Sequence, residues 1–337
     1  MSILIVWLQF LACMAAIGVI GPILTRTGER IARLAGLSYS WVGLIMLATA
    51  TSLPELYTGI SAVSLANAPN IAMGDVLGSC IFNLVMLVVL DALSREEAIW
   101  RRLDQGHILT AGFVVILIGF VGALVLGARD QLDFHIGHVS VYSLFLPVLY
   151  IVAMRAAFFY ERRPLATTPE PEPDQGRKAS LARALFHYCL AAIALGAVGA
   201  WLPFAGLAVA EAMHWKTSFV GTLFVAAATS LPELVVTVMA LRLGLADMAI
   251  GNLLGSNLFA ILIVAIDDFA YRPGPLFSAV SPGHALTAFA GSIMAGILIV
   301  GLLYRPGNRF FGAIGWISLS LLAVYLLSGY AIYLQGH

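Results

Sequence analysis

Charge is what this sequence has least of. Only 11% of its 337 residues are Asp, Glu, Lys or Arg, where soluble domains carry about 25%. A water-soluble class is thereby excluded, and the 61% hydrophobic content points to a chain that crosses a bilayer several times. No run or face is strongly basic and the formal net charge is zero, so nucleic acid is not an expected partner. Cysteine is scarce as well. Cys13, Cys80 and Cys189 are odd in number, far apart and set in apolar runs, which gives neither a disulfide framework nor a metal spacing. They read as small buried hydrophobes. None of the seven histidines lies in the repeated motifs described below; His107, His135, His138 and His214 fall at expected helix ends and read as interfacial.

What is present is long apolar runs. A spanning helix needs about 20 apolar residues, and ten runs qualify: 2–24, 38–66, 70–93, 107–128, 138–159, 182–210, 217–242, 246–270, 283–304 and 310–333. The first lacks a basic n-region and a small-residue cleavage site, so it is expected to be a spanning helix and not a removable signal. One alternating set of loops holds Arg26, Arg30, Arg33, Arg95, Arg101, Arg102, Arg155, Arg162, Arg163, Arg177, Lys178, Arg183, Arg242, Arg305 and Arg309; the other holds only Arg129, Lys216 and Arg272. The positive-inside rule makes the first set cytoplasmic. A multi-pass protein of the cell (inner) membrane is expected, with both termini outside.

The central stretch Tyr160–Ser180 is rich in proline and charge and reads as a disordered cytoplasmic linker. It divides the chain into a first five-helix repeat (1–159), a linker (160–181) and a second five-helix repeat (182–337). Five helices per half means that the second half enters the membrane from the opposite side. The fold class is therefore an all-α polytopic membrane protein, ten helices in a 5+5 inverted-topology repeat, which is a plan of secondary transporters with a midplane site.

The halves repeat in sequence. Thr51-Ser52-Leu53-Pro54-Glu55 returns as Thr229-Ser230-Leu231-Pro232-Glu233, and Gly43–Thr51 aligns with Gly221–Thr229. Ile71–Asn83 (IAMGDVLGSCIFN) aligns with Met248–Ala260 (MAIGNLLGSNLFA), and Asp91 matches Asp268. An ionisable side chain at the centre of a spanning helix costs roughly 2.5–3.5 kcal/mol on insertion scales. A chain that carries this cost twice is most simply read as building one site from two halves. Thr51 and Glu55 share a helical face, as do Thr229 and Glu233. Pro54 and Pro232 cannot donate to the carbonyls of Ala50 and Ala228, which must then find other partners. Ser79 and Asn83 share a face of the following helix and Ser256 lies on the matching one, although helix packing alone competes as a reason for these serines and for Gly78 and Gly255. Asp75, Asp91 and Asp268 read as vestibule or interfacial charges. The donor set is oxygen throughout, which suits Ca²⁺ or Na⁺ and not zinc or copper.

The paired G-x-x-x-x-A-x-x-T-S-L-P-E and G-[ND]-x-x-G-S elements resemble the two signature repeats of the calcium/cation antiporters, nearest the prokaryotic sodium/calcium exchangers. The resemblance is specific over Gly43–Leu87 and Gly221–Val264. It implies exchange of Ca²⁺ for Na⁺ by alternating access, with no enzymatic activity, no cofactor and no obligate protein partner. It implies a central Ca²⁺ site of Glu55 and Glu233 with Thr51 and Thr229. Flanking Na⁺ sites would draw on Ser52, Ser79, Asn83, Ser230 and Ser256 and the backbone carbonyls of Ala48 and Ala226. One departure stands out: Ala260 occupies a position where many exchangers carry an acid or amide. Coupling to H⁺ on the same scaffold is the alternative. A passive channel would need an open pore, and an intramembrane hydrolase would need a His or Lys base beside its serine.

Overall fold

The computed structural model describes residues 3–35, 42–94, 97–128, 134–161, 177–242, 244–307, 309–310 and 314–335. Its helices are α1 (Ile3–Ala35), α2 (Ala48–Thr51), α3 (Leu53–Ser64), α4 (Pro69–Leu93), α5 (Ile99–Arg102), α6 (His107–Gly127), α7 (Val141–Glu161), α8 (Arg177–Met213), α9 (Thr217–Val220), α10 (Ala226–Thr229), α11 (Leu231–Arg242), α12 (Ala246–Ala270), α13 (Leu276–Ala279), α14 (Gly283–Tyr304) and α15 (Trp316–Gln335). Wider π-helical turns, Val42–Leu47 and Gly221–Val225, lead into α2 and α10. Two short antiparallel hairpins, His135–Ile136 with Val139–Ser140 and Arg309–Phe310 with Ile314–Gly315, precede α7 and α15.

Among the described residues, seven helices are long and apolar enough to cross a membrane, and an eighth span is formed by Thr217–Thr229 with Leu231–Arg242, bent by 44°. Several expected limits move. The first helix continues past the apolar run to Ala35, the hairpins occupy the starts of the expected spans 138–159 and 310–333, and the long helix before the second motif begins at Arg177. Helices thus trim the expected linker at both ends; its middle, 162–176, lies outside the described residues, as do Arg95 and Arg129.

Apart from α9, which among the described residues precedes the π turn in the second part only, the element order of the first part recurs in the second: long helix, π turn, four-residue helix, break, twelve-residue helix, 25-residue helix, four-residue helix, long helix, hairpin, long helix. Side-chain anchors recur with it. Asp247 Oδ1 accepts the Asp104 N–H (2.8 Å) and lies 3.1 Å from His107 Nε2. Asn70 Oδ1 accepts the Ser281 N–H (2.7 Å) and lies 3.2 Å from His284 Nε2. Positions 70 and 247, 104 and 281, and 107 and 284 all differ by 177. The same offset relates Asp91, which accepts the Ile99 N–H, to Asp268, which accepts the Leu276 N–H.

Asp91 and Asp268 correct the expectation of interfacial charges: both are fully buried. Asp91 also takes the Gly315 N–H (2.8 Å) and the Ser318 hydroxyl (2.6 Å) and lies 3.7 Å from Arg309; Asp268 takes the Ser140 N–H (2.8 Å). Each carboxylate ties the end of a central helix to a four-residue helix and a hairpin, because loop N–H groups at that depth need acceptors. His107 is likewise buried and paired, not an interfacial ring. Cys13 and Cys80 are buried as expected, while Cys189 is exposed.

The 25-residue helices α4 and α12 form the centre. Both are apolar on most faces and buried along most of their length, as a core helix must be. Helices α1 and α8 pack along each other at the periphery and present large apolar side chains outward, among them Leu8, Leu11, Val19, Leu190 and Ile193. Such faces suit lipid contact.

Candidate functional site

The site lies where the two broken helices meet α4 and α12. In both motifs the helix opens into a π turn, tightens for four residues and breaks at a serine. Ser52 has φ −86° and ψ 8°, and Ser230 has φ −86° and ψ 7°. A new helix then starts, with the proline in its first turn where a missing N–H costs nothing. Glu55 and Glu233 occupy the first turns of α3 and α11. Free N–H groups and the helix dipole favour negative charge at such positions.

Ser-x-x-Glu at a helix start is the pattern of a capping box, in which the serine serves its own helix. Here the serine makes no capping bond to its own helix. Ser52 Oγ donates instead to Glu233 Oε1 of the other half (3.3 Å), and Ser230 Oγ donates to Glu55 Oε1 (3.2 Å). The halves exchange their serines. Ser79 joins on one side, 3.4 Å from Glu55 Oε1 and 2.9 Å from Ser230 Oγ. Ser256 joins on the other, 3.5 Å from Thr51 Oγ1.

The threonines exchange as well. Thr229 donates to Asp75 Oδ1 on α4 (2.8 Å), and Thr51 Oγ1 lies 3.4 Å from Asn252 Oδ1 on α12. Close approach is secured by glycine. A Cβ on Gly78 would stand 2.7 Å from the Ala226 Cβ, and one on Gly255 would stand 2.8 Å from the Ala48 Cβ. The Ala48 and Ala226 carbonyls accept the Ser52 and Ser230 N–H groups (3.0 Å each) and lie 3.3 and 3.1 Å from the Thr51 and Thr229 hydroxyls. They are helix-bonded acceptors that also face the threonine hydroxyls.

Glu55, Glu233, Thr51, Thr229, Ser52, Ser230, Ser79 and Ser256 are therefore buried together, with Asn83 buried one turn beyond Ser79 on α4. Glu55 is 2% and Glu233 0% exposed. Glu55 Oε2, Glu233 Oε2, Asp75 Oδ2 and Asn83 Oδ1 are buried with no hydrogen-bond partner. Such oxygens are costly to leave bare in a dry interior and are suited to a hard cation. Among the described residues no three His, Cys, Asp or Glu side chains are gathered as a ligand set; carboxylates converge here with hydroxyls and amides.

Three residues join that the sequence reading left out. Asp75 is not a vestibule charge but fully buried, as is Asn252, and both fall on the faces of Ser79 and Ser256. That four-residue spacing was the signal available. Asn257 takes Asn83 Nδ2 on its Oδ1 (3.0 Å) and donates its own Nδ2 to the Cys80 carbonyl (3.3 Å). It sits off the repeated face, opposite a cysteine in the alignment, and nothing in the spacing marked it.

Comparison with known proteins now adds to the geometry. Residues 5–162 and 184–333 match the family model described as sodium/calcium exchanger protein. A membrane protein of Methanocaldococcus jannaschii is 27% identical over 303 residues, 89% of each chain. The sodium/calcium exchanger MaX1 of Methanosarcina acetivorans is 27% identical over 266 residues, 71% of this chain and 75% of its own. The solved structure of the sodium-calcium exchanger NCX_Mj shares the fold, with a TM-score of 0.64 at 24% identity over 97% of this chain and 98% of that one. The family match spans nearly the whole chain, both broken-helix motifs included, and the chain therefore belongs to the sodium/calcium exchanger family of cation antiporters.

Proposed function

We propose that this protein exchanges Ca²⁺ for Na⁺ by alternating access at the site between its two motifs. The observation that carries the reading is the reciprocal hold on two buried glutamates, each taking a hydroxyl from the other half and keeping one bare oxygen. Two carboxylates are balanced by one Ca²⁺ or by two Na⁺. An unbalanced pair in a buried site is costly, so only a loaded site is free to change the face it opens to. Thr51, Thr229, Ser52, Ser230, Ser79, Asn83 and Ser256 offer further oxygens, and motion of the π turns would turn the Ala48 and Ala226 carbonyls toward a passing ion. In this reading the molecule has ten spanning helices in a 5+5 inverted repeat, with 160–181 cytoplasmic and both termini outside the cell (inner) membrane. One observation favours H⁺ as an alternative coupling ion: the methyl of Ala260 withholds an oxygen that a further Na⁺ would need.

The test is ⁴⁵Ca²⁺ uptake into proteoliposomes loaded with Na⁺, with K⁺, or with a pH gradient. Saturable uptake driven by internal Na⁺ is expected. Uptake driven by pH alone would select the H⁺ reading, and uptake without any counter-ion would make the protein a channel. Glu55→Gln and Glu233→Gln should each weaken Ca²⁺ binding at least a hundredfold, because a unit-charge pair at 4 Å interacts by about 4 kcal/mol at an effective dielectric of 20. Normal Ca²⁺ uptake by either correctly inserted variant would remove the glutamates from the site.

A further inference from the structure

A further buried acid lies near the site and is used by nothing described so far. Asp267 of α12 is 1% exposed, and its Oδ1 has no hydrogen-bond partner. Unlike its neighbour Asp268, it anchors no loop N–H group. Its carboxylate is pressed against the backbone of Gly59 on α3, where any Cβ would overlap it. Gly59 is four residues beyond Glu55, hence on the same face one turn along. On α12, Asp267 is seven residues beyond Ala260, again on the same face, about 10 Å along the axis.

The corresponding place in the other half is filled differently. Leu90 stands where Asp267 would be, and Thr237 where Gly59 would be; Thr237 Oγ1 already accepts from Asn252 Nδ2 (3.3 Å). The acid and its glycine notch therefore exist at one end of the site only, between the start of α4 and the end of α12. A buried carboxyl with a bare oxygen is stabilised by a proton or by a cation. A glycine that admits the carboxylate, where the other half has a threonine, supplies the room.

We infer that Asp267, seated in the Gly59 notch, forms a monovalent-cation site of its own, one helical turn from Glu55. It is a waiting position for Na⁺ on the outer side of the exchange site. The inference rests on the exchange reading above. A single carboxylate matches one unit charge, which is why the site takes Na⁺ and leaves Ca²⁺ to the glutamate pair.

The experiment is equilibrium binding of ²²Na⁺ and ⁴⁵Ca²⁺ to the purified full chain in detergent, for the unmodified protein, Asp267→Asn, Gly59→Ala and Glu55→Gln. Asp267→Asn keeps the shape and removes the charge; Gly59→Ala keeps the charge and displaces it. Both are expected to lose one bound Na⁺ per chain, keeping the Na⁺ that competes with Ca²⁺ at the glutamates, while Ca²⁺ binding stays within twofold, whereas Glu55→Gln weakens Ca²⁺ binding at least a hundredfold. Should Asp267→Asn elute as aggregate, Gly59→Ala decides alone. Unchanged Na⁺ binding in a monodisperse variant overturns the inference. So does a parallel loss of both ions, which would make Asp267 a packing residue. Unmodified protein that binds Ca²⁺ through Glu55 but no Na⁺ overturns the inference and sodium coupling together, leaving the Ca²⁺ site intact; unmodified protein that binds neither ion overturns the exchange reading as well.

Discussion

Position 260 shows how much one side chain decides. The first half places the Asn83 amide there and the second half a buried methyl. Asn257 does not replace the missing amide; it orients the one that exists, taking Asn83 Nδ2 and leaving Asn83 Oδ1 bare. The arrangement leaves the acceptor end of Asn83 bare, and position 260 of α12 offers no equivalent oxygen. Ala260→Asp should add one carboxylate charge to the site and with it the need for about one more monovalent cation. Ca²⁺ flux in vesicles at clamped potential is expected to become more steeply dependent on Na⁺ and more voltage-sensitive, with Ca²⁺ affinity changed no more than a few-fold. An unaltered Na⁺ dependence would mean that position 260 does not face the ions. At this scale the sequence was readable where chemistry recurs on one face: Thr51, Glu55, Thr229 and Glu233 declare themselves by appearing twice. Asp75 and Asn252 lie on the right face too, yet their meaning comes from a threonine of the opposite half. Spacing along one helix cannot show a partner that folding alone brings near.

Elements obey the same logic of exchange. The π turns of one half pack on the 25-residue helix of the other, and glycine is required where backbone meets backbone. A Cβ on Gly74 would stand 2.9 Å from the Thr222 nitrogen, and one on Gly221 would stand 2.9 Å from the Ile71 carbonyl oxygen. Gly78→Ala and Gly255→Ala should therefore force the Thr222 and Leu44 carbonyls away and lower the thermal midpoint of the purified protein, overpacking of this kind costing about 1–3 kcal/mol. Gly112→Ala and Gly296→Ala meet no atom within 4 Å. They should leave the midpoint unchanged or raise it, since alanine is the better helix former. Equal effects at all four positions would show that helix propensity, not interhelical contact, sets the outcome. Apolar run length located the helices but not their interruptions. The break at Ser52 comes two residues before the proline that suggested it, and the hairpin ahead of α7 was hidden in an apolar run because Asp268 carries its N–H bond. A run of apolar letters records depth in the membrane, not whether the backbone there is helical.

For the whole molecule, the question is which way each half points. The anchors offset by 177 positions place Asp247, Asp104 and His107 at one end of the bundle and Asn70, Ser281 and His284 at the other. The first of these ends holds a carboxylate and a histidine within ion-pair distance, the second an amide and a histidine. The ends are alike in plan and unlike in charge, and the loops follow the same division: fifteen of the 18 Lys and Arg residues belong to one alternating set. Neither fact alone gives orientation; the proposed plan of five spanning helices per half, combined with the positive-inside rule, puts the first set of loops in the cytoplasm. A single cysteine introduced near Thr168, in the stretch between the halves, should react with a membrane-impermeant maleimide only from the cytoplasmic side. One introduced near Lys216, at the start of the second broken helix, should react only from outside, with Cys13, Cys80 and Cys189 replaced by alanine to clear the background. The two positions are separated by α8, one of the helices long and apolar enough to span. Labelling of both from the same side would mean that α8 does not cross the bilayer. The second half would then enter from the same face as the first, and two motifs facing the same way could not open one shared site alternately to the two sides.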